Sequence, residues 1–558
     1  MLSQNSRKAR VLCLLAILAA SCIFFFYHLG TYSLKEPDEG RYAEIPREMV
    51  ETGDYVVPHL DYVRYFEKPP LLYWVTALSF KAFGANEWSF RMPNALMAFL
   101  CVVIMYLFAA RWFGNRTALL ASLMLVSSFG FFAMAHIVTT DMLFSVILFI
   151  ALLCFYEFYR GERVLFLYFF YAALAFAVLT KGPVALILLG ATVGFFLLTE
   201  RKFSFLKKMA SLKAILLFLA IAAPWFIVIS LREKEFFQFF FIDQHILRFL
   251  TTKHRRSGPL YYFIPVLFGG LLPWSIFIPR AIISLWRVKE VRLFFIWSAV
   301  VFAFFSLSGS KLPPYILPAF PALSIILAYL FQAEWQEKVP RNREILVYGA
   351  LFFLVVLAGL AYWTGALDGY LAAVPDIAAI VTNTRGLLLV LSIISFAISV
   401  MLAFQKMRTY GTLFFALVGF SLSVVTGLML HVRVIDGLNT TKALARAINE
   451  SKTGSSVVVD YASLDQTLAF YIRGRTYLAA STGELEMGSK YPDAKGYFLN
   501  EDEMVSLFRS DRDVWIVFKA KRLSRLKEIG IEPFGQPVCQ DQRCVITNGN
   551  YRNMKQDR

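Results

Sequence analysis

The apolar run VLCLLAILAASCIFFFYHL, Val11–Leu29, indicates the class of fold. A helix of about 20 apolar residues crosses the roughly 30 Å hydrocarbon core of a bilayer. Arg7, Lys8 and Arg10 lie just before the run, and no small-residue cleavage site follows it. We therefore interpret this run as a retained membrane anchor and not as a signal peptide.

Similar apolar runs recur along the 558 residues, 58% of which are hydrophobic. Soluble globular proteins are only about 45–50% apolar. The runs predict about thirteen spanning helices. The predicted spans are 11–29, 92–110, 117–135, 139–158, 163–179, 183–199, 211–230, 260–280, 291–308, 313–332, 345–364, 385–404 and 409–429.

The formal net charge of +17 at first suggests nucleic acid as a partner. The positive residues, however, lie mainly in short loops that alternate with the spans, such as Arg201–Lys213 and Arg280–Arg292. Lys and Arg in such loops hold helix ends on the cytoplasmic side of a membrane. We therefore expect no nucleic-acid partner. The odd helix count predicts that the C-terminal tail lies outside.

The chain is predicted to divide at residue 430. Residues 1–430 form an all-α polytopic membrane domain, with interfacial helices in its first outward loop, 30–91. Residues 431–558 alternate strand-like runs (456–459, 514–518) with helix-like runs (441–450, 464–471, 501–509), which predicts a small soluble α/β domain. Cys539 and Cys544 lie in this tail, and an outward location favours a disulfide between them over a metal site.

The first outward loop opens with EPDEGRYAEIPREM, Glu36–Met49. Asp38, Arg41 and Tyr42 have the i, i+3, i+4 spacing that places side chains on one helical face. Pro46 predicts a kink or an end of the helix. Two interpretations remain open from the periodicity. The helix either carries a polar site or is an amphipathic surface helix whose apolar face, including Tyr42, rests on the membrane.

The same loop continues with RYFEKPPLLYW, Arg64–Trp74. Glu67 and Lys68 lie just before Pro69 and Pro70, and the apolar run 71–83 that follows is too short to span, which predicts an interfacial helix. Lys68 would lie at the positive end of that helix, a suitable place for a phosphate. The alternative is a lysine that extends to the membrane surface and pairs with Glu67.

Other predicted outward turns also carry ionisable residues at helix ends. They include Asp141, Lys181, His245, Arg248 and Lys311, and Tyr315 follows one turn after Lys311. Ionisable residues that face the interior of a membrane protein are usually functional. A ring of cations with a few carboxylates suits an anionic ligand at membrane depth, such as a lipid phosphate.

The sequence resembles the bacterial 4-amino-4-deoxy-L-arabinose lipid A transferases, which have the C-type membrane glycosyltransferase fold (glycosyltransferase family 83). The matching segments run in order along most of the chain: PDEGRYAEIPREM (37–49), GDYVVPHL (53–60), RYFEKP (64–69), FGANE (83–87), TKG (180–182), FFQFFFIDQHILRF (236–249), LPW (272–274), GSKLPPYIL (309–317) and TGELEMGSKYPDAKG (482–496).

This resemblance implies transfer of aminoarabinose from undecaprenyl phosphate to lipid A phosphates, at the periplasmic face of the inner membrane, and resistance to polymyxin and cationic peptides. It implies that Asp38, Arg41 and Tyr42 form the first-loop site and that Tyr65, Glu67 and Lys68 bind the carrier phosphate. Asp141, His245 and Tyr315 correspond to further cavity residues. Glu67 and His245 correspond to a pair that can hold zinc. Two protein ligands are fewer than a zinc site usually has, so no cofactor is expected to be required. A monomer is expected.

The predicted chemistry depends on two phosphates, that of the lipid carrier and that of the lipid A acceptor. Lys68, with Lys311 or Arg248, would stabilise the charge that develops on the leaving carrier phosphate. The acceptor phosphate is already ionised and needs no strong base, so Asp38 is predicted to orient the sugar during a single in-line displacement. The alternatives are a related polyprenyl-phosphate-sugar transferase that acts on a protein or another glycan, and a lipid transporter. Ionisable residues on the outer face and the absence of inverted halves argue against the transporter.

Overall fold

A computed structural model describes residues 7–247, 258–335, 354–357, 361, 364, 385–403, 409–430 and 436–549. The chain forms two compact units. The helical unit comprises Met1–His28, Asn94–Pro224 and Phe241–Val434, and the loop–tail unit comprises Leu29–Pro93, Trp225–Phe240 and Ile435–Arg558. The division at residue 430 into a membrane domain and a soluble domain stays a prediction.

Helices, most of them apolar, make up most of the described chain outside the first loop and the tail. They are Arg7–Phe26, Glu87–Trp112, Asn115–Val126, Phe129–His136, Thr140–Gly161, Val164–Lys181, Val184–Thr199, Phe205–Met209, Leu212–Arg232, Phe263–Gly270, Ile278–Leu285, Arg292–Leu307, Ala319–Glu334, Arg385–Ala403 and Tyr410–Leu430. Among the described residues, five helices are long and apolar enough to span a membrane, or up to seven if each bent pair is one span. The polytopic fold class is confirmed. The count of thirteen stays a prediction, and most of the predicted span 345–364 lies outside the described residues.

Two of the predicted spans are bent. Asn115–Val126 and Phe129–His136 meet at 61°, and Leu260–Gly270 and Trp274–Leu285 meet at 117°. The two bends contact each other, because the Phe129 N–H donates to the Leu272 carbonyl oxygen and a Cβ added at Gly130 would lie 2.9 Å from the Gly270 Cα. Small residues permit this close approach of membrane helices. As a result, the segment 260–285 does not cross the helical unit as one straight helix.

The first outward loop contains two helices, Asp38–Thr52 (the loop helix) and Leu71–Phe83 (the interfacial helix), joined by a hairpin of strands β1 (His59–Leu60) and β2 (Val63–Arg64). The interfacial helix begins and ends where the sequence predicts. The loop helix continues past Pro46 to Thr52, so it does not end there. The expectation that its apolar face rests on the membrane is wrong for Tyr42, which is buried within the loop–tail unit together with Ile45 and Met49.

The tail forms a six-stranded sheet of order β5–β4–β3–β6–β8–β7. Its strands are β3 (Val457–Tyr461), β4 (Tyr477–Ala479), β5 (Phe498–Leu499), β6 (Val514–Lys519), β7 (Val538–Gln540) and β8 (Arg543–Thr547). Strand β3 pairs in parallel with β4 and β6, whereas β8 pairs antiparallel with β6 and β7. The helices are Lys442–Ser451, Gln466–Ile472 (the clamp helix), Glu501–Phe508 and Leu523–Glu528. The prediction of a small α/β fold is confirmed.

Alternating residues of the central strands fill the two faces of the sheet. Val457, Val459 and Ile516 pack in one apolar cluster, and Val458 and Val517 pack in the other. This period-2 pattern is what a strand buried on both faces requires. A disulfide joins Cys539 of β7 to Cys544 of β8, which are directly paired in the sheet.

Gly40 allows the loop helix to pack against the clamp helix. A Cβ added at Gly40 would lie 2.5 Å from the Thr467 nitrogen and 2.8 Å from the Gln466 carbonyl carbon, and backbone atoms cannot rotate away. We expect Gly40→Ala to lower the free energy of unfolding by about 1–3 kcal/mol, as overpacking of a core does. Thermal unfolding of the detergent-solubilised chain measures this loss. Gly474→Ala is the control, because the nearest atom to its added Cβ is 4.0 Å away. Equal melting temperatures for the two variants would contradict the prediction.

Candidate functional site

Arg41 is the centre of a buried polar cluster in the loop–tail unit. Its Nη2 donates to the Asp38 Oδ1 at 2.5 Å, and its Nη1 donates to the Tyr65 hydroxyl at 3.0 Å. The helical spacing of Asp38 and Arg41 makes the first contact possible, and the β1–β2 hairpin returns Tyr65 to the loop helix. Tyr42 contributes its ring, whose centroid lies 5.3 Å from the Arg41 Cζ. The structure thus brings four of the predicted site residues together.

Glu484 of the tail completes this cluster, and the sequence analysis missed it. Its Oε2 accepts a hydrogen bond from the Arg41 Nη1 at 2.6 Å and one from the Tyr65 hydroxyl at 3.4 Å. Its Oε1 accepts from the Gln466 Nε2 at 2.7 Å. The only signal in the sequence was its position in the matching run TGELEMGSKYPDAKG. A carboxylate 443 residues from Arg41 cannot be paired with it by local pattern.

The electrostatics of this cluster keep Arg41 charged. Burial alone would lower the pKa of Arg41, but Tyr65, Glu484, Tyr42 and Asp38 together raise it well above the ordinary value. Burial also raises the pKa of Tyr65, so its hydroxyl keeps its proton. For Glu484, burial raises the pKa, the Arg41 charge lowers it and Glu67 raises it, with a net rise. The carboxylates of Asp38, Glu67 and Glu484 thus lie close together near Arg41, an arrangement suited to a ligand that carries a positive group.

Glu67 and Lys68 lie between the hairpin and the interfacial helix. Glu67 is close enough to Tyr65, Tyr73 and Glu484 to influence their titration. Lys68 precedes Pro69 and Pro70, and the helix begins directly afterwards at Leu71. Both side chains are partly exposed. The predicted location of Lys68 at a helix N-terminus is confirmed, whereas its role at a phosphate stays a prediction.

Two residues of the YPDAKG run in the tail, Tyr491 and Asp493, contact Arg64, the residue before Tyr65. The Arg64 Nη1 pairs with Asp493, and its Nε pairs with the Glu233 Oε1 at 2.9 Å. The guanidinium also lies over the ring of Tyr491, 4.4 Å from its centroid. Arg64 is thereby fixed on several sides. These contacts give a physical reason for the tail motif, because they position the strand that delivers Tyr65, Glu67 and Lys68.

Two buried carboxylates connect the first loop to the tail, one at the clamp helix and one just before strand β4. The Glu36 carboxylate accepts from the Gln466 and Thr467 backbone N–H groups and from the Thr467 hydroxyl, at 2.5–3.0 Å. The Asp61 carboxylate accepts from the Thr476 N–H and hydroxyl. Burial and the nearby Asp465 raise the pKa of Glu36 to about 7. Burial raises the pKa of Asp61 to about 7 as well.

These raised pKa values predict an unusual pH dependence. A carboxylate whose pKa is higher in the folded state binds more protons there, so its contribution to stability is greatest below the unfolded pKa and is lost as the pH rises towards 7. We expect the melting temperature to rise as the pH falls from 8 to 5, and Glu36→Gln to flatten that dependence. Glu486→Gln, at an exposed carboxylate, is the control. An unchanged slope in Glu36→Gln would contradict the prediction.

In the helical unit, Lys181 contacts two of the predicted site residues, Asp141 and Tyr315. The Lys181 ammonium pairs with Asp141 and lies over the ring of Tyr315, 4.3 Å from its centroid. The Thr139 hydroxyl donates to the Asp141 Oδ2 at 3.0 Å. Lys311, four residues before Tyr315 in the sequence, is buried. Its Nζ donates to the Ser308 carbonyl oxygen at 2.6 Å. The sequence analysis included Lys181 among the cations of the outward turns but did not assign it a role in the site.

The remaining predicted residues cannot be placed. The backbone of His245 belongs to the π-helical segment Gln238–Leu247, but its side chain and Arg248 lie outside the described residues. The predicted zinc pair of Glu67 and His245 is therefore untested. Over the part of the chain that the structure describes, no group of three or more His, Cys, Asp or Glu residues could hold a metal ion. We therefore derive no step through a metal.

Comparisons with known proteins agree with this fold. Residues 67–228 match the family model of dolichyl-phosphate-mannose-protein mannosyltransferase, and residues 444–548 match that of the aminoarabinose transferase C-terminal domain. The undecaprenyl phosphate-α-4-amino-4-deoxy-L-arabinose arabinosyl transferase of Erwinia tasmaniensis is 30% identical over 514 residues, 89% of this chain and 91% of that protein. The Aeromonas salmonicida protein of the same name is 31% identical over 513 residues, 88% and 89% of the two chains.

Solved structures agree as well. The crystal structure of ArnT from Cupriavidus metallidurans bound to undecaprenyl phosphate superposes with a TM-score of 0.83 at 25% identity, covering 97% of this chain and 98% of that one. The archaeal oligosaccharyltransferase AglB from Archaeoglobus fulgidus shares the fold, with a TM-score of 0.50 at 12% identity over 93% and 70% of the two chains.

The fold and the relatives together identify a multi-pass membrane glycosyltransferase of the C-type fold. Within that class, the chain belongs to the family of undecaprenyl phosphate-α-4-amino-4-deoxy-L-arabinose arabinosyl transferases. The family resemblance seen in the sequence is confirmed.

Proposed function

We propose that the protein transfers 4-amino-4-deoxy-L-arabinose from undecaprenyl phosphate to phosphate groups of lipid A. It acts as a monomer in the inner membrane, with its loop–tail unit facing the periplasm, and confers resistance to polymyxin and cationic peptides. The Arg41 cluster beside Glu67 and Lys68 carries this proposal. Family membership and the match of residues 444–548 to an aminoarabinose transferase domain support the choice of sugar.

The cluster suits a cationic sugar attached to an anionic carrier. Asp38, whose side chain is 44% exposed, is the most accessible carboxylate around Arg41 and would bind the sugar's amine. Arg41 holds one Asp38 oxygen, which fixes that side chain and leaves the other oxygen for the ligand. Lys68 would neutralise the leaving phosphate as the sugar–oxygen bond breaks. The acceptor phosphate attacks from the opposite face without a protein base, and no metal is required.

Lipid A mass spectrometry tests this proposal. Cells that express the chain should gain the mass of aminoarabinose on lipid A and survive polymyxin, whereas cells without it should show neither change. Addition of another sugar, or of aminoarabinose to a different acceptor, would overturn the choice of substrates. The match of residues 67–228 to protein mannosyltransferases makes a protein acceptor the second candidate, and glycoprotein analysis of the same cells would detect it.

A further inference from the structure

The segment Trp225–Phe240 packs against the first loop within the loop–tail unit, and none of the residues assigned to the proposed reaction belongs to it. The Trp225 Nε1 donates to the Val56 carbonyl oxygen at 2.9 Å. The Arg232 Nη1 lies 3.3 Å from each carboxylate oxygen of Asp54. This segment, which we call the bracing segment, is therefore attached to the first loop before the β1–β2 hairpin begins.

The bracing segment is attached a second time where the hairpin ends. The Arg64 Nε donates to the Glu233 Oε1 at 2.9 Å, and the Glu233 side chain is only 9% exposed. The Phe66 and Phe236 rings, both buried, meet edge to face with their centroids 5.7 Å apart. Breaking a buried ion pair and separating an aromatic pair both cost free energy, so these two contacts hold the end of the hairpin in place.

Tyr65 lies between Arg64 and Phe66 and contacts different partners. Its hydroxyl accepts a hydrogen bond from Arg41 at 3.0 Å and lies 3.4 Å from the Glu484 Oε2, to which it donates. Side chains of successive residues in an extended chain point to opposite sides. The outer two side chains thus face the bracing segment, whereas the middle one faces the Arg41 cluster.

The tail holds Arg64 from another direction. The Arg64 Nη1 pairs with Asp493, and its guanidinium lies 4.4 Å from the centroid of the Tyr491 ring. A Cβ added at Gly488 would overlap the Arg64 carbonyl oxygen, so the backbone is enclosed as well. The planar guanidinium offers separate nitrogens to Glu233 and Asp493, which a lysine ammonium cannot do in the same geometry. Arg64 is therefore the point at which the first loop, the bracing segment and the tail meet.

We propose that Arg64 and Glu233 are positioning residues for the transfer reaction. Neither needs to touch a substrate, because their ion pair fixes the stretch 64–66 and thereby sets where Tyr65 meets Arg41. This inference rests on the proposed function, in which the Arg41 cluster carries the transfer. Without Glu233, the Arg64 guanidinium keeps only its tail partners, and the stretch is free to shift towards them.

Hydrogen–deuterium exchange of the full detergent-solubilised chain tests the attachment. Glu233→Ala should speed amide exchange in peptides that cover residues 61–70 and leave the exchange of strands β3 and β6 unchanged. Glu233→Gln keeps an acceptor for the Arg64 Nε and should restore most of the protection. Glu532→Ala is the control, because Glu532 is exposed and forms no ion pair with any residue in the described ranges. Wild-type exchange at 61–70 in Glu233→Ala would overturn the proposal.

Turnover in proteoliposomes tests the link to the reaction. Glu233→Ala should lower kcat about tenfold with KM nearly unchanged, because a shift of about 1 Å at a site can cost up to about 10²-fold. Arg64→Lys should lose a similar factor, since the lysine cannot hold both carboxylates. In a Tyr65→Phe background, Glu233→Ala should lower kcat by only about threefold, because residues that act through one another are not additive.

Two kinetic outcomes would refute the positioning role. One is a tenfold loss in both backgrounds, which is what an independent structural effect produces. The other is wild-type kcat in Glu233→Ala despite faster exchange at 61–70. The melting temperature establishes that each variant is folded, and Glu233→Gln serves for both measurements if Glu233→Ala does not fold. A wild-type chain that transfers no aminoarabinose refutes the proposed function instead, and hydrogen exchange then decides the attachment by itself.

Discussion

Replacement of Lys68 by alanine is expected to lower the transfer rate about 10²–10³-fold. The leaving carrier phosphate gains negative charge in the transition state, and removal of one preorganised group aimed at such charge typically costs that much. Pro69 and Pro70 follow Lys68 and have no N–H groups to offer, so backbone donors at this helix N-terminus compensate poorly. The measurement is turnover in proteoliposomes that contain the aminoarabinose carrier lipid and lipid A.

Three further variants separate the loss of the Lys68 charge from a loss of folding. Lys81→Ala is the matched control, because Lys81 lies in the interfacial helix, is exposed, and its ammonium lies over the Tyr55 ring without an ion pair to any described residue. Lys68→Arg should recover part of the rate, since the charge remains. Asp38→Ala should have a smaller effect, about tenfold, expressed mainly in KM, because Asp38 orients the sugar and moves no proton. If Lys68→Ala and Asp38→Ala both keep near-normal transfer, the assignment of the site to the first loop is wrong.

Glu484→Ala is expected to have the second-largest effect. The Arg41 guanidinium would lose its tail carboxylate, Tyr65 would lose an acceptor, and Gln466 would lose its partner. Breaking one side of a buried ion pair costs about 3–5 kcal/mol. The Glu484 side chain keeps 21% of its surface exposed, so we expect about 2 kcal/mol of lost stability. The transfer rate should fall about 10- to 100-fold, because Arg41 no longer holds Asp38 and Tyr65 in place.

Glu486→Ala provides the control for this variant. Glu486 lies two residues further along and is 77% exposed, and within the described ranges its carboxylate forms an ion pair only with Lys490, at 4.0 Å. Its loss should therefore change neither stability nor rate. Glu484→Gln keeps an acceptor but removes the charge. If this variant restores stability without restoring the rate, the negative charge itself contributes to the site. Full activity in Glu484→Ala would show that the tail carboxylate is not part of it.

The sequence by itself determined the parts of this protein that follow from local pattern. Apolar runs long enough to cross a bilayer indicated the polytopic fold, and the short run 71–83 indicated the interfacial helix. The strand-like runs 456–459 and 514–518 predicted strands β3 and β6. The i, i+3 spacing of Asp38 and Arg41 predicted their contact, because one turn of helix fixes which side chains are neighbours.

Only the tertiary structure decided the surroundings of that pair. The loop helix has charged and apolar residues in a pattern that also suits a membrane surface, yet it is buried from Glu39 to Met49 within the loop–tail unit. The pairs that join the first loop to the tail, Glu36–Thr467, Asp61–Thr476 and Arg41–Glu484, are more than 400 residues apart in the chain. No periodicity links such residues, because their contact depends on how the tail sheet folds back onto the first loop. The sequence therefore specified the first-loop half of the candidate site, and tertiary packing supplied the carboxylate that completes it.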